Sequence, residues 1–308
     1  MKVLITGGAG FIGSNIADRF IEDGSEVVIV DDLSNGKEEN INREAKFYRC
    51  DIRDKQIPNI FEKEKPQIVI HNAAQISVRI SVEDPASDAG INIIGAINIL
   101  EACKKYKVGK VIFASSGGTV YGEQQYFPAD ESHPLCPISP YGVAKLTTEK
   151  YLYYYHYNFG LNYISLRYAN IYGPRQDPYG EAGVVAIFCS KIISGKSPTI
   201  NGDGRQTRDY VYVGDVVEAN VAAAGSDFIG EINIGTGKET DVVELFNVVK
   251  NISAGDGIKE IHGPSKEGEQ RRSSLSYKKA KDIIGWQPKV SIEEGLKLTY
   301  NWFKNKKG

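Results

Sequence analysis

A phenol one helical turn from an ammonium group can serve as a proton relay, and the sequence offers that spacing four times: Tyr106/Lys110, Tyr141/Lys145, Tyr277/Lys281 and Tyr300/Lys304. With 18 tyrosines and 26 lysines in the chain, chance alone supplies about one or two Tyr-x-x-x-Lys matches, so context has to choose among them. A second group with chemistry in it is "ITGGAGFIG", where Gly8, Gly10 and Gly13 make G-x-G-x-x-G and Gly7 completes the related G-x-x-G-x-x-G. Glycine there permits a tight turn and lets a pyrophosphate reach backbone N–H groups at the positive end of a helix. Asp31 stands 18 residues beyond Gly13, where a carboxylate can accept from both hydroxyls of an adenosine ribose. With the equally acidic Asp32 beside it, a 2′-phosphate would be repelled, so the expected dinucleotide is NAD rather than NADP. Asp32 also reads as a simple turn former.

These residues need a scaffold, and the first half of the chain supplies one. Short β-branched runs, "KVLIT", "EVVIVD", "KFYRCD", "QIVIHNAA" and "KVIFASS", alternate with helical patterns from about Phe11 and from about Asp88 to Lys105. Such alternation predicts an α/β fold, a Rossmann doubly wound parallel sheet with helices on both faces. A helix begins near Pro140, and the strand "YISLRYANIY" follows it. Past Gly173 glycine and proline punctuate the chain, with helices expected at about 184–194, 241–252, 278–284 and 292–304. The expected division is an NAD-binding domain over 1–170 with a returning segment at about 210–235, and a smaller C-terminal substrate-binding α/β lobe from 171–209 and 236–308.

Within that frame the four Tyr/Lys pairs are no longer equal. Tyr106 closes a helix leading into the fifth strand, while Tyr277 and Tyr300 lie in C-terminal helices away from any nucleotide crevice. Tyr141 and Lys145 share a helix face after the strand that ends in Ser115 and Ser116, at the sheet edge where α/β proteins keep their ligands. Moving a phenol pKa from about 10 to neutrality requires roughly 4 kcal/mol, and a cation at about 4 Å in an effective dielectric near 20 supplies about that much. Lys145 is therefore expected to acidify Tyr141, helped by a positive nicotinamide ring. The competing reading is that Tyr141 only packs.

The bulk numbers narrow the partners. A formal charge of −2 and 41% apolar content describe an ordinary globular chain with no pull toward nucleic acid or an anionic membrane. No apolar run is long enough for a membrane span, and the glycines after "MKVLI" break any cleavable-signal pattern, so a cytoplasmic protein is expected. Cys50, Cys103, Cys136 and Cys189 form no C-x-x-C pair, and His71, His133, His156 and His262 form no ligand spacing; neither a disulfide framework nor a metal site is indicated.

Taken in order, "TGGAGFIG", "DDLSNG", "HNAAQISVRISVEDP", "SSGGTVYG", "SPYGVAK", "LRYANIYGPRQDP" and "GDGRQTRDYVYVGD" resemble the extended short-chain dehydrogenase/reductases, and within them the UDP-hexose 4-epimerases, from Met1 to about Trp302. The resemblance implies epimerisation at C4 of a UDP-hexose: Tyr141 removes the 4-hydroxyl proton while the C4 hydride passes to tightly held NAD, and the 4-keto sugar turns over and is reduced on its other face. It places Phe11, Ile12, Asp31 to Gly36 (with Asp32 and Asn35), Asp51 and Ile52 at the adenosine end. The segment Asn72 to Ile76, with Ala73, Ala74 and Gln75, would line the dinucleotide together with Asn92; Lys145 would bind the nicotinamide ribose, and Tyr141 and Tyr168 are further cofactor positions. Asn170 and Arg208 match diphosphate positions, Thr199, Ile200 and Asn201 match a segment facing the uracil, and Val184 is a further substrate position. A homodimer through the helix from about Asp88 and the helix bearing "YLYYYHY" is implied as well.

Two positions depart from the pattern. The catalytic Ser or Thr, five residues before the glycine of "VYG", falls on Gly117; counting from Tyr141 instead selects Ser116, with Ser115 and Thr119 as alternates. The diphosphate arginine near the C-terminal lobe is Lys266, for which Arg271 is a possible substitute. Ser273 falls where some epimerases carry a bulky aromatic, so an N-acetyl group at the sugar C2 is expected to fit and UDP-GlcNAc to be accepted beside UDP-glucose. Nucleotide-sugar dehydratases and UDP-glucuronate decarboxylases carry acidic residues where this chain has glycine and threonine. UDP-glucuronate 4-epimerisation and a non-catalytic NAD sensor are the remaining alternatives, the latter disfavoured because such proteins often lose the Tyr/Lys pair.

Overall fold

The computed structural model describes residues 1–179, 183–253, 257–265 and 270–307. The strands are β1 (Lys2–Thr6), β2 (Glu26–Asp31), β3 (Lys46–Arg49), β4 (Ile68–His71), β5 (Lys110–Ser116), β6 (Asn162–Tyr168), β7 (Asn170–Tyr172), β8 (Thr199–Asn201), β9 (Thr207–Arg208), β10 (Tyr210–Tyr212), β11 (Gly230–Ile234), β12 (Thr240–Asp241) and β13 (Ile261–Gly263). The helices are α1 (Phe11–Glu22), α2 (Ile57–Glu64), α3 (Val78–Glu83), α4 (Pro85–Ala89), α5 (Gly95–Lys105), α6 (Gly117–Val120), α7 (Pro140–Phe159), α8 (Val184–Ile193), α9 (Val213–Gly225), α10 (Val242–Ser253), α11 (Lys278–Ile284) and α12 (Ile292–Lys307).

Strands such as "KVLIT" and "EVVIVD" are apolar on both faces because both faces are covered, as a parallel sheet with helical crossovers requires. The main sheet runs β11-β6-β5-β4-β1-β2-β3, with parallel neighbours throughout. The order reverses between β1 and β4, and a crevice at that switch point is where a doubly wound sheet takes its ligand. On one face α1 and α9 bury Ile16, Phe20, Val216 and Ala223; on the other α2, α5 and α7 bury Phe61, Ile99, Leu152 and Tyr155. A separate core around Phe188, Phe246 and Leu296 unites α8, α10 and α12. None of the described helices is long and apolar enough to cross a membrane.

Two elements differ from their sequence reading. The run "YISLRYANIY" is not one strand: at Ala169 the chain leaves the sheet, the Asn170 N–H donates to the Asp209 carbonyl at 2.9 Å, and β7 pairs with β10. The stretch from Asp88 to Lys105 is interrupted by a wide π turn at Gly90–Ile94. Asn92 in that turn faces inward, and its side-chain amide bonds both the Gln75 backbone and Asp88, which gives the irregular turn a local cause.

Candidate active site

The glycine loop joins β1 to α1 at the crevice. Gly7 has φ of 69°, and a Cβ there would come within 2.7 Å of the Ala73 nitrogen; one on Gly13 would lie 2.2 Å from the Gly7 carbonyl oxygen. Neither position tolerates a side chain. Gly10 precedes α1 without a side-chain cap, and the first turn holds no acidic residue, so its N–H groups are left to meet an anion. Asp31 ends β2 almost fully buried, accepting from the Ala9 N–H at 2.9 Å and the Leu33 N–H at 2.8 Å. Burial pushes its carboxyl up while those two donors pull it down. Gly36 lies against it, where a Cβ would be 2.7 Å from Asp31 Oδ1, whereas Asn35 is exposed. Asp32 accepts from the Ser34 N–H and hydroxyl in a local turn, as its alternative reading expects.

Across the switch point, the Asn72 N–H donates to the Thr6 carbonyl and the Ala73 N–H to the Thr6 hydroxyl, which also meets His71 Nδ1 at 2.7 Å. Burial holds His71 down at about 3, so it is neutral at physiological pH. Both side-chain polar atoms of Asn72 are buried without a hydrogen-bond partner among the described residues. An orphaned amide, a glycine cradle, an uncapped helix start and a carboxylate at the end of β2 together fit a dinucleotide. Ile52 is buried, and Asp51 is paired with Arg53, whose guanidinium holds its carboxyl below the usual range. Ala74 follows Ala73 in the same half-buried segment.

Ser139 caps α7 by accepting from the Gly142 N–H, and Pro140 occupies its first turn. That start sets the helix phase: Lys145 faces inward at 4% exposure and Tyr141 is half-buried. The Lys145 ammonium donates to the Ala114 carbonyl at 2.8 Å and lies 5.6 Å from the Tyr141 ring centre. Burial pushes the Tyr141 phenol well up, and the Asp88 carboxylate pushes it further. Burial also lowers Lys145 itself to about 8, against the raising effects of Asp88 and Glu149. Desolvation is the largest cause for both groups, acting against the charged form of each.

The three candidate hydroxyls separate. Ser115 is 3% exposed and donates to Glu149 Oε1 at 2.6 Å, inside the sheet–helix layer. Thr119 donates to the Ser116 carbonyl at 3.3 Å. Ser116 is half-buried at the end of β5, and a Cβ on Gly118 would lie 4.0 Å from its hydroxyl and 3.9 Å from Asn170 Oδ1, so those two polar groups flank the bare Gly118.

On the substrate side, Arg208 lies in β9 and donates to the Thr207 carbonyl at 2.8 Å. Asp209, the next residue, is buried and accepts from Thr236, Gly237 and Leu275. Arg271 is exposed, its guanidinium forked onto Asp203 at 3.0 and 2.9 Å, while its carbonyl accepts from the Thr207 N–H beside Arg208. Lys266 lies outside the described residues. Ile200 is fully buried in the C-terminal core, so only its backbone can face a base; Thr199 is exposed and Asn201 half-buried. Tyr168 is buried at the end of β6, its phenol accepting from the Asn220 amide at 2.8 Å. Val184 opens α8 half-buried. Ser273 is 3% exposed, with the Gln124 amide 3.4 Å from its hydroxyl.

Sequence reasoning missed Asp88, a buried carboxylate bonded to Gln75 and Asn92. It also missed Glu149, fully buried against Arg167 at 2.7 Å. The available signal was spacing: Asp88 precedes Asn92 by one helical turn, as Lys145 precedes Glu149.

A parallel sheet with a glycine cradle at its switch point and a Tyr/Lys couple on the helix after β5 is the architecture of a dinucleotide-dependent enzyme. The chain belongs to the NAD dependent epimerase/dehydratase family, whose model matches residues 3–235. It is 50% identical over 304 residues to a putative UDP-glucose 4-epimerase of Methanocaldococcus jannaschii, covering 98% of each chain. Among solved structures it is similar to the UDP-glucose 4-epimerase of Thermotoga maritima with UDP-glucose, at 51% identity, TM-score 0.98 and full coverage of both chains. The UDP-glucose 4-epimerase of Thermus thermophilus in complex with NAD matches at 44% identity and TM-score 0.93, over 99% of each chain.

Proposed function

We propose that the chain is an NAD-dependent isomerase that inverts C4 of a UDP-hexose through a 4-keto sugar, acting on UDP-glucose/UDP-galactose and also on UDP-GlcNAc/UDP-GalNAc. The observation that carries this reading is that Lys145, one turn from Tyr141 on α7, donates to the Ala114 carbonyl two residues before Ser116 at the end of β5, in a chain similar over its full length to a UDP-glucose 4-epimerase. NAD, when bound, supplies a hydride acceptor at the sugar carbon and gives the hydride back. Tyr141 takes the 4-hydroxyl proton and returns it, Ser116 donates a hydrogen bond to the same oxygen, and Lys145 keeps positive charge beside the phenolate. Ser116 is preferred to its neighbours because the hydroxyl of Ser115 is committed to Glu149 and that of Thr119 to the Ser116 carbonyl.

The Gly7, Gly10 and Gly13 turn with Phe11 and Ile12 would hold the pyrophosphate, Asp31 the adenosine ribose, and Asn72 to Gln75 the middle of the dinucleotide. Asn170 and Arg208 would bind the diphosphate of the substrate, Arg208 through the two-pronged donation that suits phosphate oxygens. Arg271 is a weaker candidate, since reaching a diphosphate would require leaving Asp203. The chain's surface supports a homodimer: Ile80, Val82, Ile94, Tyr153 and Tyr157 on α3, the π turn and α7 are large apolar residues exposed by 48% to 76%. Four unpaired cysteines support a reducing, cytoplasmic setting.

Incubating the purified protein with UDP-glucose and, separately, UDP-GlcNAc and resolving the products tests the reading. Conversion of both is expected, because Ser273 leaves room beside the sugar C2. Conversion of UDP-glucose alone would overturn the Ser273 argument; conversion of neither would overturn the function.

A further inference from the structure

A buried carboxylate that the proposed chemistry does not use sits one layer behind the Tyr/Lys pair. Asp88, on α4, is 1% exposed. Its Oδ1 accepts from the Gln75 amide at 2.8 Å and the Asn92 amide at 2.9 Å, while its Oδ2 is buried with no hydrogen-bond donor among the described residues. Asn92 is then tied to the Gln75 backbone at both ends, its Oδ1 accepting from the Gln75 N–H and its Nδ2 donating to the Gln75 carbonyl, each at 2.9 Å. Thr148 of α7 donates to the Asn92 carbonyl at 3.1 Å, and Ser81 of α3 accepts from the Tyr141 N–H at 3.2 Å. The loop after β4, the π turn and the tyrosine helix are thus fastened together around one carboxylate.

Hydrogen bonding alone does not account for an acid there. An asparagine would offer the same acceptor oxygen to both amides without a charge to bury. The charges around Asp88 show what its own charge meets. On α3, Arg79 and Glu83 are exposed and paired with each other at 3.3 Å, and β4 contributes only the neutral His71. On α7 stand Tyr141, Lys145 and Glu149, of which Glu149 is taken by Arg167. Burial pushes the Asp88 carboxyl up, against the Gln75 and Asn92 donors and the Lys145 cation; its charge in turn adds to the burial that raises Tyr141 and opposes the burial that lowers Lys145.

We propose that Asp88 is a positioning residue of the active site: its carboxylate clamps Gln75 and Asn92 at the dinucleotide crevice, and its negative charge sets the charge balance between Tyr141 and Lys145. The proposal rests on the reading of Tyr141 and Lys145 as the proton-handling pair. With the charge in place Lys145 stays cationic while desolvated, and Tyr141 holds its proton until the site is loaded. Removing the charge favours the phenolate and disfavours the ammonium, so both ionisations move toward acid together.

The experiment uses the NAD-loaded protein. Phenolate absorbance of Tyr141, taken as the difference between each protein and its Tyr141→Phe counterpart, is titrated in the wild type, in Asp88→Asn and in Asp88→Glu. The midpoint is expected to fall by about one pH unit in Asp88→Asn and to stay near the wild-type value in Asp88→Glu, which keeps the charge. Both limbs of the pH–rate profile should move in the same direction in Asp88→Asn. An unmoved midpoint in folded, NAD-loaded Asp88→Asn would overturn the proposal, even if rate or melting temperature falls, because a merely structural residue changes those alone. Should Asp88→Asn fail to fold, Asp88→Ser carries the same comparison. The absorbance titration needs no turnover, so a wild type that epimerises nothing would defeat the functional reading and leave this one still decided.

Discussion

Tyr141→Phe is expected to lower kcat by roughly 10²–10⁴-fold, the range for loss of a positioned acid–base group, while the protein folds normally and retains its NAD. The substitution removes one oxygen and keeps the ring that lies beside the Lys145 ammonium. None of the dinucleotide cradle depends on that oxygen: Gly7, Gly13, Asp31 and Asn72 are placed by backbone contacts of β1, β2 and β4. The loss should therefore fall on kcat with little change in KM, as for an interaction made only in the transition state. Rates of the wild-type protein and the variant at saturating UDP-glucose, with bound NAD measured after release, check both halves. A variant within a few-fold of the wild-type rate would remove Tyr141 from the chemistry.

A second large effect is expected from a residue that touches no ligand. Glu149→Ala should destabilise the fold by about 3–5 kcal/mol, because it leaves a buried guanidinium without its counter-ion. Glu149 is fully buried, and Arg167 reaches it through Nε at 2.9 Å and Nη2 at 2.7 Å. Arg167 Nη1 goes on to the Tyr121 hydroxyl, which donates to Asn233 at 2.7 Å. The same carboxylate accepts from Ser115, so the end of β5 that presents Ser116 is held through it. Denaturant unfolding reads the loss directly, and the melting temperature should drop on the order of 10 °C. A loss below about 1 kcal/mol would mean that the pair contributes little beyond its own desolvation.

The parallel sheet and the glycine loop could be read from sequence because their signals are local. Buried strands announce themselves as unbroken β-branched runs, and Gly7, Gly10, Gly13 and Asp31 have spacings set by one strand–turn–helix–strand unit. "PYGVAK" was separable from its three duplicates because it alone follows a strand that ends at the crevice. What sequence could not show depends on contacts between distant segments. Ser115 and Glu149 meet only once β5 and α7 pack, so Ser115 stays open as an alternate to Ser116 in the sequence. Tyr168 is a cofactor position by family resemblance alone; that Asn220 of α9 donates to its phenol is a tertiary fact. The burial that pushes the Tyr141 phenol up is equally a tertiary property, since a charge can be counted in a sequence and its desolvation cannot. Asp88 was passed over as one more acid in a helix until burial singled it out.

The central claim is that the hydrogen on the sugar C4 leaves and returns without meeting solvent. Converting UDP-glucose that carries deuterium at C4 in ordinary water, and analysing the 4-epimer by mass and NMR, tests it most directly. The account predicts full retention of the label at C4 of the product. Loss of the label to solvent would contradict it, because inversion would then proceed through a proton taken from carbon rather than through a hydride held and returned within the site.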